Sequence, residues 1–268
     1  MTRTTFAVKR AWDTLAVSLL STVALPVAGA VWVALSRYKR SRIEVCRREG
    51  QPLDYQSPLI VQMRVGKGGD EIGVYKFRTM RDGTAPAQER IIAGLGERLR
   101  RRHIDEIPQF LNVLKGNMAM DGGMRPKPIG EWLLAAGLEE EKLPETLKRF
   151  EHLPKKGKLI TMINQLLTEG ALEPEWAYKI KKIIQHTKPS LTGASQVAKG
   201  IDQTPGDVVA TRETINHQVN LMYSPCPWRD TWRIYRSTFG KAAGGEGDNV
   251  VAVRSAAETK GPPSELRL

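Results

Sequence analysis

The sequence predicts a helix-rich α/β (α+β) chain. Its parts are an N-terminal re-entrant membrane helix and a cytosolic domain with a small β-hairpin and interfacial amphipathic helices. Three observations predict it: a charge-free apolar run at 15–35 interrupted by Pro26, two short β-type runs about a Gly-rich turn, and helical apolar spacing over most of the remainder. The organisation expected is a membrane-embedded segment at 1–42, a cytosolic domain at 43–240 with a helical insert at 139–185, and a disordered tail at 241–268.

The apolar run "LAVSLLSTVALPVAGAVWVAL" would just cross the hydrocarbon core as a straight helix, at about 1.5 Å per residue. Pro26 removes a backbone hydrogen bond in its middle and is expected to kink or break it. Lys9 and Arg10 precede the run, and Arg37, Lys39, Arg40 and Arg42 follow it, so both ends are expected to stay cytoplasmic. Two arms of about 15 Å would dip into one leaflet and return. A spanning anchor, a cleaved signal peptide and a buried soluble helix are the rivals. The signal peptide is disfavoured by the length of the run and the lack of a small-residue cleavage site.

"LIVQMRV" (59–65) and "IGVYKFR" (72–78) flank "GKGGDE" and read as a hairpin. The glycines lack the strand-to-helix context of a phosphate loop, so turn chemistry is preferred. Helical patterns follow at 87–101, 108–115 and 131–186, the last read mostly as a solvated amphipathic insert. "KPSLTGASQV" (188–197) breaks the pattern, and another amphipathic helix covers 207–222. "SPCPWRDTWRIYRSTFG" (224–240) sets Trp228, Trp232, Tyr235 and Phe239 near helical spacing among arginines. That suits a helix packed on the domain or one lying on a membrane.

A net charge of +12 over 268 residues, with a pI near 9.8, implies a polyanionic partner: nucleic acid, an anionic membrane surface or phosphorylated substrates. No nucleic-acid recognition motif is found, and that reading leaves the apolar segment unused. Cys46 and Cys226 have no CxxC spacing and are expected as reduced thiols; the four histidines form no metal-ligand cluster.

In "RRRHIDEIPQFLNVLKG" (100–116) two adjacent acids, Asp105 and Glu106, sit inside the most basic part of the chain. Pro108 marks a first helical turn, with Ile107, Leu111 and Leu114 on one face behind it. The acids then stand at a helix N-terminus, where the macrodipole, with Arg100, Arg101 and Arg102, favours their ionised forms. They are either caps or chemical groups; from these residues alone, caps are the commoner outcome.

Several segments occur in a fixed order: "KRAWD" (9–13), "QMRVG" (62–66), "VYKFRTM" (74–80), "IDEIPQFLNVLKGNM" (104–118), "RPKP" (125–128) and "KPSLTGASQV". In this order they resemble the bacterial sugar transferase family, the monotopic polyprenyl-phosphate phosphoglycosyl transferases, over about 8–130 and 187–240. The resemblance implies an enzyme that passes a sugar-1-phosphate from a nucleotide-activated sugar, usually a UDP-sugar, to a polyprenyl phosphate, releasing UMP. It starts glycoconjugate or exopolysaccharide assembly at the inner leaflet of the bacterial cytoplasmic membrane, on its cytoplasmic face, with homodimerisation left open. Asp105 would be the nucleophile that carries the phosphosugar, and Glu106 would hold Mg²⁺ with it or orient the site. Arg100 and Arg125 would clamp phosphate. Lys76 and Arg78 would be substrate-phosphate ligands or scaffold. The chain departs from the family pattern in "GNMAMDGGMRP" (116–126), one residue longer than usual, and in Ser190, which replaces a glycine. A membrane-tethered binding protein that keeps the fold without catalysis is the alternative.

Overall fold

The computed structural model describes residues 3–193 and 207–222. The aromatic segment 224–240 and the tail from Lys241 lie outside the described residues.

The first helix, α1 (Arg3–Glu49), runs for 47 residues and continues through Pro26, where the sequence led us to expect a kink or a break. One stripe of it is buried, at Asp13, Val17, Val31, Leu35 and Cys46, spacings that keep a single helical face. The opposite face exposes large apolar side chains, with Leu19 at 74% and Val23 at 72%. The helix is long and apolar enough to cross a membrane.

The globular part holds α1 on both sides of Pro26. Ahead of it, Val17 packs with Val74, Val113, Met118 and Met120. Beyond it, Val31 and Leu35 pack with Tyr55, Phe77, Ile92 and Leu99. Arg10 donates to Leu114 O at 2.6 Å and to Val113 O, satisfying carbonyls at the end of a short helix. Arg42 grips Asp54 with two bonds, Nε to Oδ1 at 3.0 Å and Nη2 to Oδ2 at 2.7 Å.

The hairpin forms where expected. Strands β1 (Leu59–Val65) and β2 (Glu71–Phe77) pair antiparallel, with Leu59 opposite Phe77 and Val65 opposite Glu71. The connecting Lys67–Gly69 is a 3-10 turn with φ of 75° at Gly68 and 79° at Gly69, a region open to glycine. The free edge of β2 is closed by one fully buried side chain, Asn112. Its Nδ2 donates to Gly73 O at 2.6 Å, and its Oδ1 accepts from Tyr75 N at 3.1 Å. Asn112→Ala strands both backbone groups, and at about 1–3 kcal/mol for each buried group left unpaired the fold is expected to lose about 2–6 kcal/mol. Thermal unfolding in detergent checks this; an unchanged melting temperature would mean water replaces the amide.

The helical pattern at 87–101 resolves into α2 (Ala87–Arg90) and α3 (Leu95–Arg101). They are separated where Ile91 bridges Met80 and Gly94 takes a φ of 69°. The next stretch is a 3-10 segment, Ile104–Gln109, running into α4 (Phe110–Leu114). Ile107 packs inward as expected. Leu111 and Leu114 do not: they are 48% and 39% exposed, because α4 turns Asn112 and Val113 to the core instead.

Two short strands absent from our expectation, β3 (Ala119–Gly123) and β4 (Ser190–Gly193), pair in parallel. A Cβ on Gly123 would lie 1.9 Å from Lys188 O, so only glycine permits the approach. The Ser190 hydroxyl accepts from Gly123 N at 3.1 Å and donates to Gly123 O at 2.9 Å. The serine that departs from the family pattern thus ties β4 to the strand leading into Arg125.

The insert is not a solvated appendage. Helices α5 (Ile129–Ala135), α6 (Leu143–Arg149), α7 (Lys158–Thr168), α8 (Pro174–His186) and α9 (Val208–Met222) enclose the largest apolar cluster among the described residues. Leu159, Met162 and Ile163 of α7, Ala177 and Ile180 of α8, and Ile215 of α9 are fully buried there. Periodicity identified their apolar faces, but whether those faces meet one another or solvent depends on packing.

Candidate active site

The site is built on the 3-10 segment between α3 and α4. His103 opens it in the left-handed region (φ 53°), the one non-glycine with positive φ among the described residues. Ile104 and Ile107 then pack against the cluster that holds the C-terminal half of α1, fixing the turn between them.

Neither acid caps a helix: no side-chain cap bond forms at this terminus. Glu106 is an ion-pair centre instead. Its Oε1 accepts from Lys76 Nζ at 2.9 Å and from Arg125 Nη2 at 2.5 Å. Burial alone would raise its pKa, but Arg125 and Lys76 outweigh that and hold the carboxyl below the usual range.

Asp105 is the opposite case. It is 9% exposed, and among the described residues no hydrogen bond or ion pair engages its carboxylate. Burial and the neighbouring Glu106 charge push its pKa up, against the pull of Lys76, Arg100 and His103. The pair we expected to behave alike is therefore split, with Glu106 held as the anion and Asp105 the more basic oxygen.

The other expected residues divide. Lys76, from β2, and Arg125, from the loop after β3, converge on Glu106, so the lengthened 116–126 stretch still delivers Arg125 here. Arg100, on α3, has one side-chain hydrogen bond among the described residues, to Met80 Sδ at 3.2 Å, and is exposed near Asp105. Arg78 is engaged as scaffold: it donates to Ser57 O at 3.0 Å, pairs with Asp82 and lies over the Tyr55 ring. His103 went unnoticed in the sequence, because a left-handed turn that brings an imidazole near both acids leaves no periodic signal.

No cluster of three or more metal-ligating acids, histidines or cysteines occurs among the described residues. The oxygens left open are those of Asp105 and the Oε2 of Glu106. That donor set suits an ion that takes one or two carboxylates and completes its shell with phosphate and water.

The helix-rich fold and its site define a protein with a paired-acid centre, one buried carboxylate kept clear of partners among the described residues beside a second held by cations. More narrowly, the chain belongs to the bacterial sugar transferase family, whose model matches residues 4–154. It is 39% identical over 112 residues to the exopolysaccharide production protein PSS of Rhizobium leguminosarum bv. phaseoli, a match covering 38% of this chain and 54% of that one. It is 40% identical over 77 residues to the UDP-N-acetylgalactosamine-undecaprenyl-phosphate N-acetylgalactosaminephosphotransferase of Aeromonas hydrophila, covering 26% and 18%. A UDP-glucose:undecaprenyl-phosphate glucose-1-phosphate transferase of Escherichia coli K12 is 37% identical over 84 residues, covering 28% and 18%. The matches thus span from 18% to 54% of these relatives' own lengths.

Proposed function

We propose that the protein transfers a sugar-1-phosphate from a UDP-sugar to undecaprenyl phosphate or a similar polyprenyl phosphate. UMP is released, and a sugar phosphate is carried in between on Asp105. The observation that carries this reading is the open, basic carboxylate of Asp105 beside an acid locked by Arg125 and Lys76. A carboxylate oxygen forms the bond to the sugar-bearing phosphorus, and the bond from that phosphorus to the bridging oxygen breaks, so UMP leaves with the electron pair. A phosphate oxygen of the lipid then attacks the same phosphorus and returns Asp105 to its free form. Glu106 keeps Arg125 and Lys76 in place beside Asp105, and Arg100 offers an unpaired guanidinium to a phosphate. Asp105 and Glu106 Oε2 would hold Mg²⁺, which when bound offsets diphosphate charge. A binding protein that keeps the fold without catalysis is the alternative, and it predicts no covalent adduct on Asp105. The test is UMP release from a panel of UDP-sugars with undecaprenyl phosphate and Mg²⁺; no release from any sugar would defeat the reading.

The same reading places α1 in one leaflet of the cytoplasmic membrane with both ends on the cytoplasmic side. It is supported by contacts of one globular unit with α1 at Arg10 and again at Arg42, and by the apolar face left between them. Single cysteines at Thr5 and Arg48, in a background without Cys46 and Cys226, are expected to label from the same face in intact cells. Labelling from opposite faces would make α1 a spanning anchor.

A further inference from the structure

Trp132 of α5 is 3% exposed, and its indole Nε1, a donor only, has no hydrogen-bond partner among the described residues. It lines a cavity of about 10 Å³ together with Gly66, Met124, Arg125 and Thr187. That room is close to what one water needs, about 10–15 Å³. A buried N–H left dry loses its hydration with nothing in return, and native proteins rarely accept that.

A water here also needs acceptors. The Thr187 hydroxyl donates to Ile183 O at 2.7 Å and keeps its lone pairs. Arg125 is the other polar wall. Its neighbours along the chain are tied down: Met124 O accepts from Ser190 N at 3.0 Å, and Lys127 O accepts from Val65 N at 2.9 Å. Arg125 itself sits between these anchors, and its guanidinium bonds Glu106.

We propose that Trp132 is a positioning residue for Arg125, acting through a water bound in the cavity between them. This rests on the reading that Arg125 serves turnover. The water joins the rigid α5 to the short loop that carries the guanidinium. It holds Arg125 where its guanidinium pairs with Glu106, next in the chain to Asp105. Without it the loop keeps its two backbone anchors and the Arg125–Glu106 bond, with no tie from Arg125 to α5.

The test uses the full chain in detergent, with a UDP-sugar that supports turnover, and compares Trp132→Phe, Arg125→Ala and the double variant. Trp132→Phe is expected to lower kcat about tenfold, the size of one lost hydrogen bond, with KM for the nucleotide sugar unchanged and the melting temperature reduced. The double variant should be no slower than Arg125→Ala alone. Unchanged turnover with a raised melting temperature would show a dry orphan relieved by phenylalanine, and would overturn the proposal. So would losses that multiply in the double variant. Full turnover in Arg125→Ala would remove the role of Arg125 and this proposal with it, whereas a slow Arg125→Ala beside a neutral Trp132→Phe would sink this proposal alone. Should Trp132→Phe not fold, ¹⁵N NMR of the wild-type indole N–H decides: cross-relaxation with a long-lived water supports the bridge, and its absence overturns it.

Discussion

Asp105→Asn is expected to abolish turnover and leave the fold at least as stable as before. The amide has no anionic oxygen to attack phosphorus, so the covalent step is lost outright. Stability should move the other way. Folding raises the pKa of Asp105, so at neutral pH the ionised group is worse off in the folded chain than in the unfolded one. Its charge therefore costs stability above the folded pKa, and a neutral isostere removes that cost. A helix cap would behave differently, with little effect on turnover. The same shift predicts the acid limb of the pH–rate profile. Activity should fall as pH drops through a value above the ordinary aspartate range, and Arg100→Ala, which removes a charge that favours the carboxylate, should move that limb to still higher pH. Incubation of the wild type with labelled UDP-sugar and no lipid should leave sugar phosphate on the protein, which mass spectrometry of the quenched chain would locate. Retained turnover in Asp105→Asn, or an active enzyme that never forms an adduct, contradicts the mechanism.

Arg125→Ala is the second large effect expected, a loss of about 2–4 kcal/mol in transition-state stabilisation, or roughly 10²- to 10³-fold in turnover. Two consequences combine. A guanidinium that would meet developing phosphate charge disappears, and Glu106 loses one of its two ion-pair partners among the described residues, keeping Lys76. Glu106 has a lowered pKa, so its pairing contributes stability that is present above the unfolded value and lost as pH falls through the folded one. The variant should therefore be less stable at neutral pH, with the difference shrinking toward acid. Lysine should rescue poorly, because a point charge cannot reproduce the planar fork. Kinetics of the alanine and lysine variants beside denaturant unfolding at neutral and acidic pH would separate the two consequences. Full activity in Arg125→Ala would mean that the ion pair is scaffold only.

Local chemistry was legible in the order of residues. The hairpin could be read because β-type runs meet at glycines, which take the positive φ the turn needs. The amphipathic helix at 207–222 could be read because side chains three and four apart share a helical face, whereas the 47-residue length of α1 through Pro26 could not. The ordered motifs pointed to the family and to Asp105, Glu106 and Arg125.

What only the tertiary structure decided depends on contacts between distant parts of the chain. Lys76 reaches Glu106 across 30 residues and Arg125 reaches it across 19, from a strand and a loop whose placement no local period encodes. The parallel β3–β4 pair was invisible because its strands are four or five residues long and are brought together from opposite ends of the insert. The insert itself passed for a solvated face until its helices were seen to bury that face against one another. The two acids, identical in prospect as neighbours in sequence, part company in the fold. Desolvation and cations act on both, but Arg125 and Lys76 outweigh burial at Glu106, whereas at Asp105 burial and the Glu106 charge outweigh Lys76, Arg100 and His103.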